Sequence, residues 1–154
     1  MSLKKIHTIL LFLITFCCLA GNPAIHGNWK GFLISNSLLM DPYNRRGLPV
    51  TLYIIDDNDK GDLIGEMNVQ YKYQTDIYKA KYKIEGNIDY TKYTISLVQG
   101  NLIFSDILPK GLQWCFGNGT LNIYRSTFGK KTYMDGFMKT SCGNERIRMI
   151  LVKM

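Results

Sequence analysis

Residues 77–84 alternate with a strict period of two: Tyr78, Ala80, Tyr82 and Ile84 interleave with Ile77, Lys79, Lys81 and Lys83. Successive side chains of an extended strand point to opposite faces, so this pattern demands a half-buried strand with its lysines in water. The same period recurs upstream. Val50, Leu52 and Ile54 form one face of a strand that runs into the acidic, glycine-containing turn at residues 56–62. Gly65, Met67, Val69, Tyr71 and Tyr73 then resume the alternation, which predicts a hairpin. Downstream, runs at 92–98 and 102–107 flank the turn-forming pair Gly100 and Asn101. Further runs occupy 119–126, 131–138 and 146–153, with turns at residues 128–130 and 142–144. No window past residue 20 carries a helical stripe longer than about two turns. A succession of adjacent hairpins, about eight or nine strands in all, predicts an all-β antiparallel meander β-barrel, because closure removes the exposed sheet edges.

The first residues obey different chemistry. Lys4 and Lys5 precede an apolar run at 9–14 that continues past Thr15 to Ala20. This is the pattern of a secretory signal peptide over residues 1–20. The run is too short for a membrane span, which needs about 20 apolar residues. Cleavage after Ala20 is expected, with Ala24 as a competing site, leaving 21–154 as a single domain with no transmembrane span. A secreted or periplasmic location follows. Lipidation at Cys17 or Cys18 is disfavoured, since bulky Phe16 stands where a small residue is wanted.

The chain carries a formal net charge of +7. Its basic residues are dispersed over many strands and turns and form no stripe, which argues against nucleic acid. Once the signal departs, Cys115 and Cys142 remain in an oxidising compartment and are expected to pair. The mature chain keeps His26 alone, so a Ser-His-Asp device, a Cys-His pair or a His-rich zinc site has no base or ligand to draw on. Residues 56–67 fail as a calcium loop, with Lys60 and Met67 where acidic ligands belong. Glu66, Glu85 and Asp135 have no motif that pairs them as catalytic carboxylates. Neither a cofactor, a metal nor an enzymatic reaction is expected. Asn118-Gly119-Thr120 fits a glycosylation acceptor and equally a turn leading into a strand.

Gly27-Asn28-Trp29 at the start of the first strand, with basic residues on the last, resembles the calycins, the lipocalin, fatty-acid-binding and avidin group of ligand-binding barrels. The resemblance implies that Gly27 and Trp29 close the barrel floor and that Arg146 or Arg148 packs over the indole face. A second likeness spans most of the mature chain. Gly27 to Gly31, Gly65, Gly86, Trp114-Cys115, Leu121, Gly136 and Cys142-Gly143 are similar to a pattern in small secreted bacterial lipocalin-like proteins of unassigned function. It implies a fold and no activity.

Two functions are compatible with this reading. In the first, Tyr53, Tyr71, Tyr73, Tyr78, Tyr82 and Phe104 point inward and line a cavity for a small apolar or amphipathic molecule. The long segment at 35–49 is then a lid, with Arg45 and Arg46 available to an anionic group. In the second, the same aromatic side chains fill the barrel and the 35–49 segment plugs it, leaving both arginines solvated. The protein then acts by its outside, as an interaction or inhibitor module. Its lysine face at 79–83 or its arginine loop would meet an acidic protein partner.

Overall fold

The computed structural model describes residues 25–56, 61–127, 130–143 and 145–154. The expected signal segment, both expected cleavage sites, Cys17, Cys18 and residues 57–60, 128, 129 and 144, where turns are expected, lie outside the described residues. Within them the chain forms a closed barrel of eight antiparallel strands in sequential order. These are β1 (Gly27–Ile34), β2 (Leu48–Asp56), β3 (Asp62–Tyr73), β4 (Asp76–Asp89), β5 (Thr94–Ser105), β6 (Gly117–Arg125), β7 (Thr132–Thr140) and β8 (Arg146–Lys153). A five-residue helix, α1 (Asn36–Met40), interrupts the β1–β2 connection. The sheet closes where β1 pairs with β8, from Trp29 opposite Lys153 to Ile34 opposite Arg148. Closure brings the two backbones very close at Gly31, where an added Cβ would sit 1.8 Å from the carbonyl oxygen of Ile150.

One expected turn is absent. Gly100 and Asn101 do not reverse the chain but lie within the continuous strand β5, so the barrel has eight strands and not nine. Ile84 of β4 pairs with Gln99 and Tyr82 with Leu102, so three steps of β5 match two of β4. The turn-prone pair is used as a bulge, which adds a residue and bends the strand without ending it. Above the bulge β5 leaves the core, and Ile103 and Phe104 are exposed.

The lower part of the barrel is packed solid. Trp29, Leu52, Ile54, Leu63, Ile84, Ile95, Leu121, Met134, Met149 and Leu151 are buried, each supplied by the inward phase of its strand. At the floor the Trp29 indole N–H donates to the carbonyl of Ile25 at 2.8 Å. A cation does lie over this ring, but it is Lys153, whose Nζ is 5.9 Å from the ring centroid. The expectation of Arg146 or Arg148 is thereby corrected. Register and phase exclude both arginines: Arg148 stands opposite Ile34, five residues up the seam from Trp29, and inward positions on β8 are odd-numbered. On the outer face Arg148 instead pairs with Asp135 at 2.5 Å, and the Arg146 guanidinium lies 4.9 Å from the Phe137 ring centroid. Gly27, at φ +111°, opens β1 beside the Lys153 side chain.

Replacing the largest floor side chain leaves a cavity that its neighbours cannot refill. Trp29→Ala is expected to lower unfolding free energy by about 3–5 kcal/mol, measured by urea denaturation; a loss below about 1 kcal/mol would contradict the floor assignment.

Candidate functional site

Strand direction sorts the connections into two groups. The β1–β2 segment, the β3–β4 turn, the 106–116 loop and the β7–β8 turn gather at the end opposite Trp29, forming the mouth. These connections are stitched to each other and to the strands. Ser35 caps α1 by accepting from the Leu38 N–H, and Ser37 donates both its N–H and its hydroxyl to Glu145 of the β7–β8 turn, at 3.0 and 2.5 Å. Past the helix, Asp41 accepts from the Tyr43 N–H, the Asn44 amide and the Tyr71 hydroxyl, at 2.8, 2.9 and 3.0 Å. The Asn44 side chain also brackets Lys72, donating to its carbonyl and accepting from its N–H.

The 106–116 loop is anchored at both ends. Asp106 exchanges backbone and side-chain bonds with Lys79, and its carbonyl accepts from the Trp114 indole at 2.9 Å. At the other end the Cys115–Cys142 disulfide, with Cα atoms 5.5 Å apart, joins the loop to the β7–β8 turn. Phe116 and Ser141 add two hydrogen bonds beside it.

These elements enclose a cavity of about 310 Å³. Its walls are mainly apolar, drawn from Leu33, Leu48, Val69, Met138 and Ile147 of the strands, Leu38 of α1, and Leu108, Leu112 and Trp114 of the loop. Its floor is formed by three deeply buried residues, Met67, Tyr82 and Gln99. It reaches the surface beside exposed Ser37, Leu112 and Cys142. Burial pushes the Tyr82 hydroxyl up to about 12. Tyr71, at the rim, is likewise raised to about 12 by burial and by its bond to Asp41. Both phenols therefore remain neutral hydrogen-bonding groups across the ordinary pH range. Ser37 holds the Glu145 carboxyl below its ordinary range. Partial burial opposes the charge on Asp41, but its bonds from Asn44, Tyr43 and Tyr71 outweigh this and lower it too.

Of the aromatic residues expected to line an interior, Tyr71 and Tyr82 do so. Tyr78 and Tyr73 are half-buried at the mouth ends of their strands and lie outside the lining, Tyr73 resting 5.5 Å from the Tyr43 ring. Tyr53 and Phe104 are corrections: both are exposed on the outer surface. Tyr53 has the opposite phase to inward Leu52 and Ile54, and the β5 bulge sets Phe104 opposite outward Lys81. Arg45 and Arg46 are exposed and do not reach the cavity. Nor is the segment around them a full plug, since Leu38 and Leu48 line the cavity as walls while Leu39 and Met40 face solvent. On the lysine face, Lys81 pairs with Glu66 at 2.6 Å and Lys83 with Glu85 at 2.7 Å.

Sequence reasoning missed Gln99, Leu48, Met138 and Glu145. The alternation of Val50, Leu52 and Ile54 extends to Leu48 and is the signal that could have found it; Gln99 and Met138 follow from the inward phases of β5 and β7 once those strands are placed, and Glu145 only once the helix is in place. Among the described residues there is no group of three or more His, Cys, Asp or Glu side chains placed to hold a metal ion. No helix among them is long and apolar enough to cross a membrane.

The fold and site define an eight-stranded antiparallel barrel, filled below and hollow at its mouth. The chain matches no family model, no curated protein and no solved structure.

Two outcomes follow for the mouth. A carboxyl lowered in the folded state stabilises it above the unfolded pKa, and that contribution is lost as pH falls through the folded value. Acidification from pH 7 to about 3 is therefore expected to reduce amide protection across residues 35–47 before the core strands, and Asp41→Asn to flatten this dependence. The disulfide closes a separation of 27 residues. Its removal by Cys115→Ser with Cys142→Ser is expected to lower stability by about 3–4 kcal/mol in the loop-closure model, read from denaturant melts.

Proposed function

We propose that the protein is an exported binding barrel that takes up a small apolar or amphipathic molecule in its mouth cavity, and not an enzyme. The observation that carries this reading is the cavity itself. Its volume of about 310 Å³ lies at the lower end of the range for small-molecule sites, and its walls are apolar with a few convergent polar groups. The signal-like residues 1–20 and the disulfide support an extracytoplasmic setting. The lipocalin-like pattern of Gly27, Trp29 and a cation over the indole fits the same class. His26, the sole histidine past the signal, sits next to β1 at the floor end, away from the cavity. The alternative of a surface module for an acidic partner loses much of its basis, because two of the three lysines on its face already hold carboxylates.

Native mass spectrometry of the chain purified gently from its own host tests the reading. A mass excess that vanishes on mild denaturation is expected. Leu48→Trp, which projects an indole into the cavity from β2, is expected to abolish that excess while leaving the melting temperature within a few degrees, as about 1 kcal/mol of overpacking would. A chain that carries no excess, and that takes up no small apolar compound offered to it, would return weight to the surface-acting module.

A further inference from the structure

The floor of the cavity carries two buried polar side chains beneath mainly apolar walls, while Ser35, Ser37, Tyr71, Gln113, Thr140 and Glu145 supply the polar groups nearer the rim. Gln99 is only 9% exposed and Tyr82 only 1%. Neither side chain makes a hydrogen bond to another side chain or backbone group among the described residues, although no buried side-chain nitrogen or oxygen is sealed away without a partner. Their polar atoms therefore face accessible space: Tyr82 lines the mouth cavity, and Gln99 lies between that cavity and an adjoining groove bordered by Phe116, Asn118 and Lys139. Gly117 makes room for this arrangement. A Cβ there would come within 3.3 Å of the Gln99 Oε1 and 3.1 Å of the Met138 methyl.

Charge narrows the chemistry further. Among the lining residues Glu145 is the sole charged group, and it stands at the rim engaged by Ser37. No lysine, arginine or histidine lines the cavity. A carboxylate or phosphate head drawn to the floor would be buried without a countercharge and beneath an anionic rim, which is unfavourable. An amide and a neutral phenol offer donors and acceptors to an uncharged head.

Resting on the binding reading above, we propose that the cavity selects uncharged amphiphiles over anionic ones. Gln99 and Tyr82 hydrogen-bond a head that both donates and accepts, such as an alcohol or amide. The tail lies against the aliphatic walls. At roughly 30 Å³ per water-sized unit, the cavity suits a ligand on the order of ten non-hydrogen atoms. This reverses the expectation that Arg45 and Arg46 would receive an anion.

Isothermal titration at pH 7.4 with ethylbenzene, 1-octanol, octanoate and octylammonium tests the proposal on the full chain. Ethylbenzene and octanol are expected to bind, and octanoate to bind at least about tenfold more weakly than octanol. Gln99→Leu is expected to weaken octanol about tenfold and to leave ethylbenzene unchanged, which a general loss of fold would not do. Gln99→Glu, which puts a negative charge at the floor, is expected to shift preference to octylammonium. If ethylbenzene binds but octanoate matches octanol, or if Gln99→Leu leaves octanol unaffected, the selectivity is overturned and the binding reading stands. If none of the four compounds binds, both fall.

Discussion

The barrel depends on the seam where its first and last strands meet. Eight hairpin-connected strands with one polar face would otherwise form an open sheet with two exposed edges, and closure removes both. At Gly31 the β1 and β8 backbones approach so closely that a methyl group would collide with the Ile150 carbonyl. The same seam places Trp29 opposite Lys153, so that closing the sheet and sealing the floor are one event. The burial of Leu52, Ile54, Met134 and Leu151 around that indole follows from closure, because each is inward-facing only in a sheet that curves back on itself.

The mouth is held differently. Above Met67 and Tyr82 the barrel stops being filled, and the apolar side chains of Leu33, Leu48 and Ile147 meet a cavity rather than one another. Hydrophobic burial alone therefore contributes less there, and directed bonds take its place. Asp41 and Glu145 fasten the α1 segment, Asn44 fastens it to β3, and the disulfide fastens the long loop. The hydrogen bonds are individually worth little in water, but together with the disulfide they fix loop geometry without occupying the space between the loops. A floor built on packing and a rim built on polar and covalent ties let one small domain be stable and hollow at once.

Most of the fold was legible in the sequence because a period of two leaves so few alternatives. Tyr78, Ala80, Tyr82 and Ile84 announce β4, and the inward phases of β2 and β3 follow the same rule. What was not legible lies where local chemistry is shared by different structures. Gly100 and Asn101 suit a turn or a bulge equally well, and only the unbroken pairing of β4 with β5 distinguishes them. The cation over Trp29 depends on register, which no single strand encodes: Arg146 and Arg148 are on the correct strand but in the wrong phase and too far up the seam. The site was harder still. Tyr71 and Tyr82 share the inward phase of β3 and β4 and line the cavity, whereas Tyr53 and Phe104 are aromatic but of outward phase.

The placement of charge gives the molecule its character. Among the described residues nearly all cations face outward, and several are already matched there: Arg148 with Asp135, Lys81 with Glu66, Lys83 with Glu85. Lys153, drawn inward at the floor, is lowered by burial and lies against an indole rather than beside a ligand. The net positive charge of the chain is thus a property of its surface, bearing on solubility and long-range attraction. It says nothing of the cavity, whose rim is acidic and whose floor is neutral. On the binding function proposed above, a basic barrel with an uncharged interior would separate what draws a molecule toward the protein from what retains it. Retention would then fall to shape, apolar contact and two hydrogen-bonding side chains at a depth where water competes poorly.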